Sequence, residues 1–339
     1  MGFLKTVFLS LFFSLNLLSL AFASPLSYFD KIEVKEPVIV KNLEIFPLVS
    51  SVGNKLPQIY TLDEALFKDF LIVRETDEVN KLEVENRSNK YVFIMAGEIV
   101  SGGKQNRTLQ EDLLLPPHSG KVIADVFCVE EGRWESKGDK FFSSSYLTNL
   151  GVRESALAAK KEFAQQNVWS MVESYSKEVG AKSRTYALDE ILKSDKVNYY
   201  AGNYKKEFKG FLSEYPQARG VVVAIGGERI LCIDLFEDRD LFVSLWDKLL
   251  MSYIAEAIVR ENEKYAEIKK KDVIKFIEIL KETEISRIST PGEGSLWKLQ
   301  SEEIKGRILS FKDYIIHLVA FPGKEMGENE EDVPLYRQY

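Results

Sequence analysis

Apolar and polar residues follow two rhythms along this chain. From Ile32 to Trp134, short runs alternate apolar and polar, with turn residues between them, the pattern of antiparallel β-structure. Ile32–Val40 and Leu43–Leu48 read as two strands, with Pro37 and Pro47 marking edge positions or breaks. Thr61-Leu62-Asp63-Glu64 has the form of a capping box that opens a short helix. Phe70–Glu75, Lys81–Glu85 and Tyr91–Ala96 read as strands, the last two joined as a hairpin through Asn86-Arg87-Ser88-Asn89. Tyr91–Ala96 is apolar on both faces, Val92 and Ile94 on one, Phe93 and Met95 on the other. Such a strand is expected at the centre of a sheet, covered on both sides. Glu111–Pro116 and Lys121–Val129 complete the β-rich front of the chain.

After Trp134 the spacing becomes helical. Arg153–Val179 reads as one long helix, with Leu157, Ala164, Val168, Met171 and Val172 on its buried flank and Gly180 as its C-cap. Shorter helices are expected at Asp189–Ser194 and Tyr204–Tyr215. The clearest hairpin pairs Val221–Ile225 with Arg229–Leu235 across Gly226-Gly227-Glu228. A helix with a broad apolar stripe starts at Asp238, and Lys269–Glu282 is an amphipathic helix whose charges form a solvated face. Ile288–Leu299, Arg307–Phe311 and Tyr314–Phe321 read as strands. The fold class predicted is α+β: a mainly antiparallel sheet or sandwich in the N-terminal half, packed against long helices of the C-terminal half. The expected packing sets the strands of Gly97–Val129 against the Arg153–Val179 helix.

The first 23 residues change the picture of where the chain works. Lys5 is a positive n-region, Val7 to Phe22 is apolar, and Ala21-Phe22-Ala23 is a cleavage box, so a signal peptide at 1–23 is expected. The rival reading is an uncleaved anchor, for which the run is short against a span of about 20 residues. The expectation is an exported protein, periplasmic or secreted, without stable membrane insertion after cleavage. Residues 24–322 are read as a single domain and the acidic stretch 323–339 as a disordered tail. The net charge of −7 becomes −8 when Lys5 leaves, and no basic face suggests nucleic acid. An exported chain permits one disulfide between Cys128 and Cys232, but both lie in apolar runs, which favours buried free thiols. Asn86-Arg87-Ser88 and Asn106-Arg107-Thr108 match the short glycosylation sequon.

Candidate chemistry gathers between Gly97 and Trp134. Gly102-Gly103 permits backbone conformations closed to other residues, and successive N–H groups in such a turn can form an anion-binding nest. Lys104 and Arg107 add charge there; Gln105 and Asn106 add directional donors and acceptors. A turn whose polar side chains satisfy the backbone would look the same. Glu98 follows a buried strand and could be an acid or base with a raised pKa, or half of an ion pair with Arg107 or Arg133. Glu130 lies beside Arg133 and Trp134, a ring that could stack on a ligand or close the core. Glu98 and Glu130 could be the two carboxylates of a glycosidase. His317 lies in an apolar strand, where a lone histidine is more often a hydrogen-bonded core residue than a catalyst. Two histidines and two cysteines without close spacing argue against a zinc site, and no GxSxG elbow is present. Cofactor and oligomeric state are not fixed by the sequence.

Gly97-Glu98, Gly102-Gly103-Lys104-Gln105-Asn106-Arg107, Cys128-Val129-Glu130, Gly132-Arg133-Trp134, Gln166 and Val168-Trp169 together resemble one family. It is the ADP-ribosylglycohydrolase- and rhodanese-phosphatase-associated protein domain, and the resemblance runs from about residue 40 to the His317 strand. It implies a link to nucleotide or ADP-ribose metabolism without fixing a reaction, and a signal peptide sits poorly with a cytoplasmic NAD pool. Two functions stand side by side. The first is binding or processing of a phosphorylated or ADP-ribose-like small anion, with Glu98, Glu130 and His317 as catalytic candidates. Its ligand would be held by Gly102, Gly103, Lys104, Gln105, Asn106, Arg107, Arg133 and Trp134. The second is a non-catalytic structural or interaction protein of the cell envelope, braced internally by the same charges.

Overall fold

The computed structural model describes residues 24–53, 55–133, 135–136, 138, 140–158, 164–226, 229–260 and 267–323. The expected signal peptide, Trp134 and nearly all of the acidic tail lie outside them. A 3-10 helix at Pro25–Lys31 leads into β1 (Glu33–Val34), β2 (Val38–Val40), β3 (Leu43–Val49) and β4 (Ile59–Thr61). Then come α1 (Leu62–Phe67), β5 (Leu71–Glu75), β6 (Lys81–Asn86), β7 (Tyr91–Ile94), β8 (Glu98–Gly102) and β9 (Arg107–Leu109). They are followed by β10 (Leu113–Leu115), β11 (Gly120–Cys128) and β12 (Phe141–Leu147). The helices α2 (Leu150–Ala158), α3 (Ala164–Val179), α4 (Leu188–Leu192), α5 (Asp195–Phe208) and α6 (Phe211–Glu214) form the middle of the chain. The last stretch is β13 (Ala218–Ile225), β14 (Arg229–Leu235), α7 (Arg239–Val259), α8 (Lys270–Glu282), β15 (Ile285–Ile288), β16 (Ser295–Gln300), β17 (Ile304–Phe311) and β18 (Tyr314–Pro322).

The architecture is α+β with large antiparallel sheets. A nine-stranded sheet runs β1-β3-β13-β14-β18-β17-β16-β15, with β2 also on β3. It draws strands from both ends of the chain, so strands are not confined to the N-terminal half, nor helices to the C-terminal half. Its faces explain the continuous apolar run of β13. Val221 and Val223 face a core shared with α5 and α7, while Val222 and Ala224 face a second core under α8. The α7 helix is buried over most of its length, which accounts for apolar residues all round it. Asp238 caps it by accepting from the N–H groups of Asp240 and Leu241. In α8, Val273, Phe276, Ile277 and Leu280 form a helical stripe on the second core.

A six-stranded antiparallel sheet runs β12-β8-β9-β11-β6-β5, and a three-stranded sheet runs β10-β7-β4, with β4 parallel to β7. As expected, β7 is central and covered on both sides. Val92 and Ile94 belong to one core, Phe93 and Met95 to another. The capping box at Thr61 and Glu64 forms as the sequence requires.

Several local expectations give way to long-range packing. Asn86–Asn89 does not close a hairpin, because β6 pairs with β5 and β11 while β7 lies in another sheet. Asn86 turns the corner, its Nδ2 donating to the carbonyls of Lys90 and Pro116. Asn86 and Asn106 are buried, so neither sequon offers a glycan acceptor in the folded chain. Arg153–Val179 is two helices packed on one another rather than one rod, with the Met171 methyl against Gly151. Both halves bury residues in the same core. The α3 half does pack on the expected strands. Gln165 bonds both backbone groups of Cys128, accepting from its N–H at 2.8 Å and donating to its carbonyl at 2.9 Å. Pro47 lies inside β3, where the outer partner changes from β1 to β2. Ile288–Leu299 is split into β15 and β16 by Thr290-Pro291-Gly292. Both cysteines are buried free thiols.

Candidate functional site

The glycine-rich turn is built around Arg133 and Glu130. Glycine is required at Gly102: its φ is 143°, and a Cβ there would sit 2.5 Å from the Lys140 carbonyl. The Arg133 guanidinium reaches back across the turn, donating from Nη1 to Gly103 O at 2.6 Å and from Nη2 to Gly102 O at 3.2 Å. Its Nε and Nη2 grip Glu130 in a two-pronged pair, at 2.8 and 2.7 Å. Glu130 accepts two further bonds, from Asn106 N–H at 3.0 Å and from the Thr185 hydroxyl at 2.8 Å. Burial raises the Glu130 pKa, but Arg133 and Thr185 outweigh it and leave the carboxyl below its ordinary value. Gln105 donates to Glu130 O at 2.8 Å. Asn106 accepts from Gly102 N–H and donates to Asp189 at 2.7 Å, and Asp189 in turn takes Ser101 and Lys193. Gln105, Asn106, Glu130 and Arg133 thus converge as the sequence predicts, on one another.

Glu98 and Arg107 belong to different partners. Glu98 is fully buried, and its carboxylate meets Lys248 of α7 at 2.5 Å and the Met95 N–H at 2.8 Å. Lys248 also meets Asp63 at 2.6 Å. Burial raises the Glu98 pKa against the pull of Lys248, while the two carboxylates keep Lys248 charged. Arg107 donates from Nε to Val79 O at 3.1 Å and approaches Glu75 at 3.6 Å. The nest predicted at the turn is filled by the chain itself, since Lys104 N–H donates to the Glu75 carboxylate at 2.7 Å.

His317 sits in a fourth, fully buried centre. Its ring bridges Asp112 at 2.7 Å and Asp234 at 3.0 Å, and stacks on Phe236 with centroids 4.5 Å apart. Asp234 also takes both prongs of Arg153, at 3.0 and 2.6 Å, and the Tyr253 hydroxyl at 2.7 Å. Burial disfavours the imidazolium, but Asp112 and Asp234 overcome it and raise the His317 pKa to about 9. Burial acts on Asp234 too, yet Arg153 and His317 hold its carboxyl well below the usual range. Sequence reasoning passed over Asp112, Arg153, Asp234, Tyr253 and Lys248. A signal existed for two of them: Asp234 interrupts the apolar run Ile230–Phe236, and Lys248 interrupts the apolar stripe of α7. Among the described residues, no group of three or more His, Cys, Asp or Glu could hold a metal ion.

The predicted site residues therefore distribute over four charge centres, at Glu130, Glu98, Glu75 and His317, instead of one cleft, and Trp134 lies outside the described residues. An α+β domain whose buried charges answer one another is the class of protein that this geometry defines. The chain belongs to the family described as the ARG and Rhodanese-Phosphatase-superfamily-associated Protein domain, ARPP-1, whose model matches residues 31–321. No curated protein and no solved structure matches it.

Proposed function

We propose that the protein is exported and serves as a non-catalytic structural or interaction protein of the cell envelope, its polar motif an internal brace. Saturation of the carboxylates carries this reading: the two oxygens of Glu130 each accept two bonds from the protein. Buried Glu98 and His317 are likewise paired with protein groups. A general acid or nucleophile needs a side open to substrate. Export rests on Lys5, the apolar run and the Ala21-Phe22-Ala23 box. Residues 24–322 are proposed as one domain, an extent close to the family match.

One observation favours the other reading, a phosphorylated or ADP-ribose-like ligand at the Gly97–Arg107 turn. Arg107 Nη1 and Gln105 Oε1 are buried without a partner among the described residues. Calorimetry with ADP-ribose, AMP and ribose 5-phosphate separates the two when run beside melting curves of the parent and Arg133→Ala. The brace predicts no binding heat and a variant destabilised by about 3–5 kcal/mol, because Glu130 is left buried without its countercharge. Binding by the parent and a variant that melts like it while losing the ligand would sink the brace. Mass spectrometry of envelope protein tests export, and an intact Met1 terminus would refute cleavage.

A further inference from the structure

We propose that the open seam between the two edge strands of the six-stranded sheet binds an extended peptide segment by strand addition. This rests on reading the chain as an interaction protein, and names the partner's chemistry. The sheet ends in β12 on one side and β5 on the other. A cavity of about 610 Å3 lies between them, lined by the whole of β5, by Phe141 of β12 and by Leu66 of α1. That volume is within the usual range of binding pockets.

The backbone of β5 says what fits there. Arg87 N–H donates to Phe70 O, and β6 pairs antiparallel with Ile72 opposite Glu85 and Arg74 opposite Glu83. Alternation along the ladder then turns the N–H and C=O groups of Leu71, Val73 and Glu75 away from β6 and into the seam. No hydrogen bond joins these groups to another described strand. The charged side chains around the cavity are already answered. Arg74 pairs with Glu83 and Glu85, Lys140 with Asp69, and Glu75 with Lys104 N–H and Arg107. Beside these paired charges the edge of β5 leaves backbone donors and acceptors without a strand partner, which another backbone matches.

The side chains set the partner's pattern. Leu71 and Val73 are buried beside Leu66 and Phe141 in one core, so an added strand needs small or apolar residues at alternate positions on that face. Phe67 and Phe142, next in sequence to the lining residues Leu66 and Phe141, are strongly exposed rings. Exposed rings of this size are common anchors at interfaces.

The test uses the chain from Ser24. Random heptapeptides displayed on phage are selected against it, and the winners are synthesised and measured by calorimetry. Alternating apolar sequences are expected, and N-methylation of the peptide nitrogens facing β5 should weaken binding about tenfold each. Methylation of the alternate nitrogens should leave it unchanged. Val73→Pro removes a seam donor without touching the β6 ladder, a change that edge strands tolerate, and it should weaken the peptides by a similar factor. N-methylated peptides on the parent protein carry the same test should that variant fail to fold. Failure to select any peptide overturns the proposal, as does affinity indifferent to N-methylation. So does dodecanoate that competes with the peptides and binds Val73→Pro undiminished, which marks the seam as a pocket for small amphiphiles. The brace reading falls separately, through binding or turnover of ADP-ribose, whatever the peptides do.

Discussion

Raising the pH from 7 to 8 should lower the stability that the His317 centre contributes, although the folded ring keeps its proton, and the loss can be worked from its geometry. The ring is fully buried between Asp112 and Asp234, and burial alone would strip its proton. The two carboxylates prevail and raise its pKa from 6.5 to about 9. In the unfolded chain the same ring titrates near about 6.5. Below that pH both states hold the proton, and the full stabilisation of the folded state is present. Between about 6.5 and 9 the unfolded chain has released the proton while the folded one keeps it, so stability falls as pH rises. Above about 9 the contribution is gone. The whole interval, at about 1.4 kcal/mol per pH unit, amounts to about 3 kcal/mol. Burial raises the pKa of both cysteine thiols as well, and they add to the decline only above about pH 8.5, the unfolded thiol value. The slope is therefore read between pH 7 and 8. Urea unfolding should show the midpoint falling there at constant m, with the slope abolished in His317→Gln. A parent whose midpoint does not move over this pH unit refutes the argument. So does a His317 ring resonance that titrates near pH 6.5 in the folded protein.

Two more changes probe the braces. Lys248→Met strands Glu98 in the core and should cost about 3–5 kcal/mol, while adding Glu98→Gln should restore much of it; chemical denaturation of the single and double variants measures this, and equal stability of the two would refute the pairing. Gly102→Ala places a Cβ against the Lys140 carbonyl at a φ closed to alanine. A loss of about 1–3 kcal/mol in a thermal melt is expected, and a neutral substitution would show the turn to be looser than its hydrogen bonds imply.

Local structure was legible wherever it depends on neighbours in sequence. Thr61 and Glu64 form their capping box because each satisfies the other's backbone three residues away. Asp238 starts α7, and Val221–Leu235 pairs on itself, for the same reason of short reach. The two-faced strand at Tyr91–Ile94 was legible because alternation alone assigns its residues to two cores. The residues of the polar motif were legible as a cluster because Gln105, Asn106, Glu130 and Arg133 meet across adjoining strands and turns. What the charges do was not. Lys248 lies 150 positions from Glu98, and Asp112 and Asp234 reach His317 from 205 and 83 positions away. No periodicity specifies such partners. A buried charge takes whichever opposite charge the packed core brings within reach, because leaving it alone costs more than any local preference can supply. The same holds for strands. β3 crosses the chain to pair with β13, and Asn86 hands the chain from one sheet to another, because burial of both faces outweighs the nearest hairpin. Periodicity and capping determined the elements and marked the charged turn; the tertiary structure alone decided which charges answer one another and which strand edges remain open.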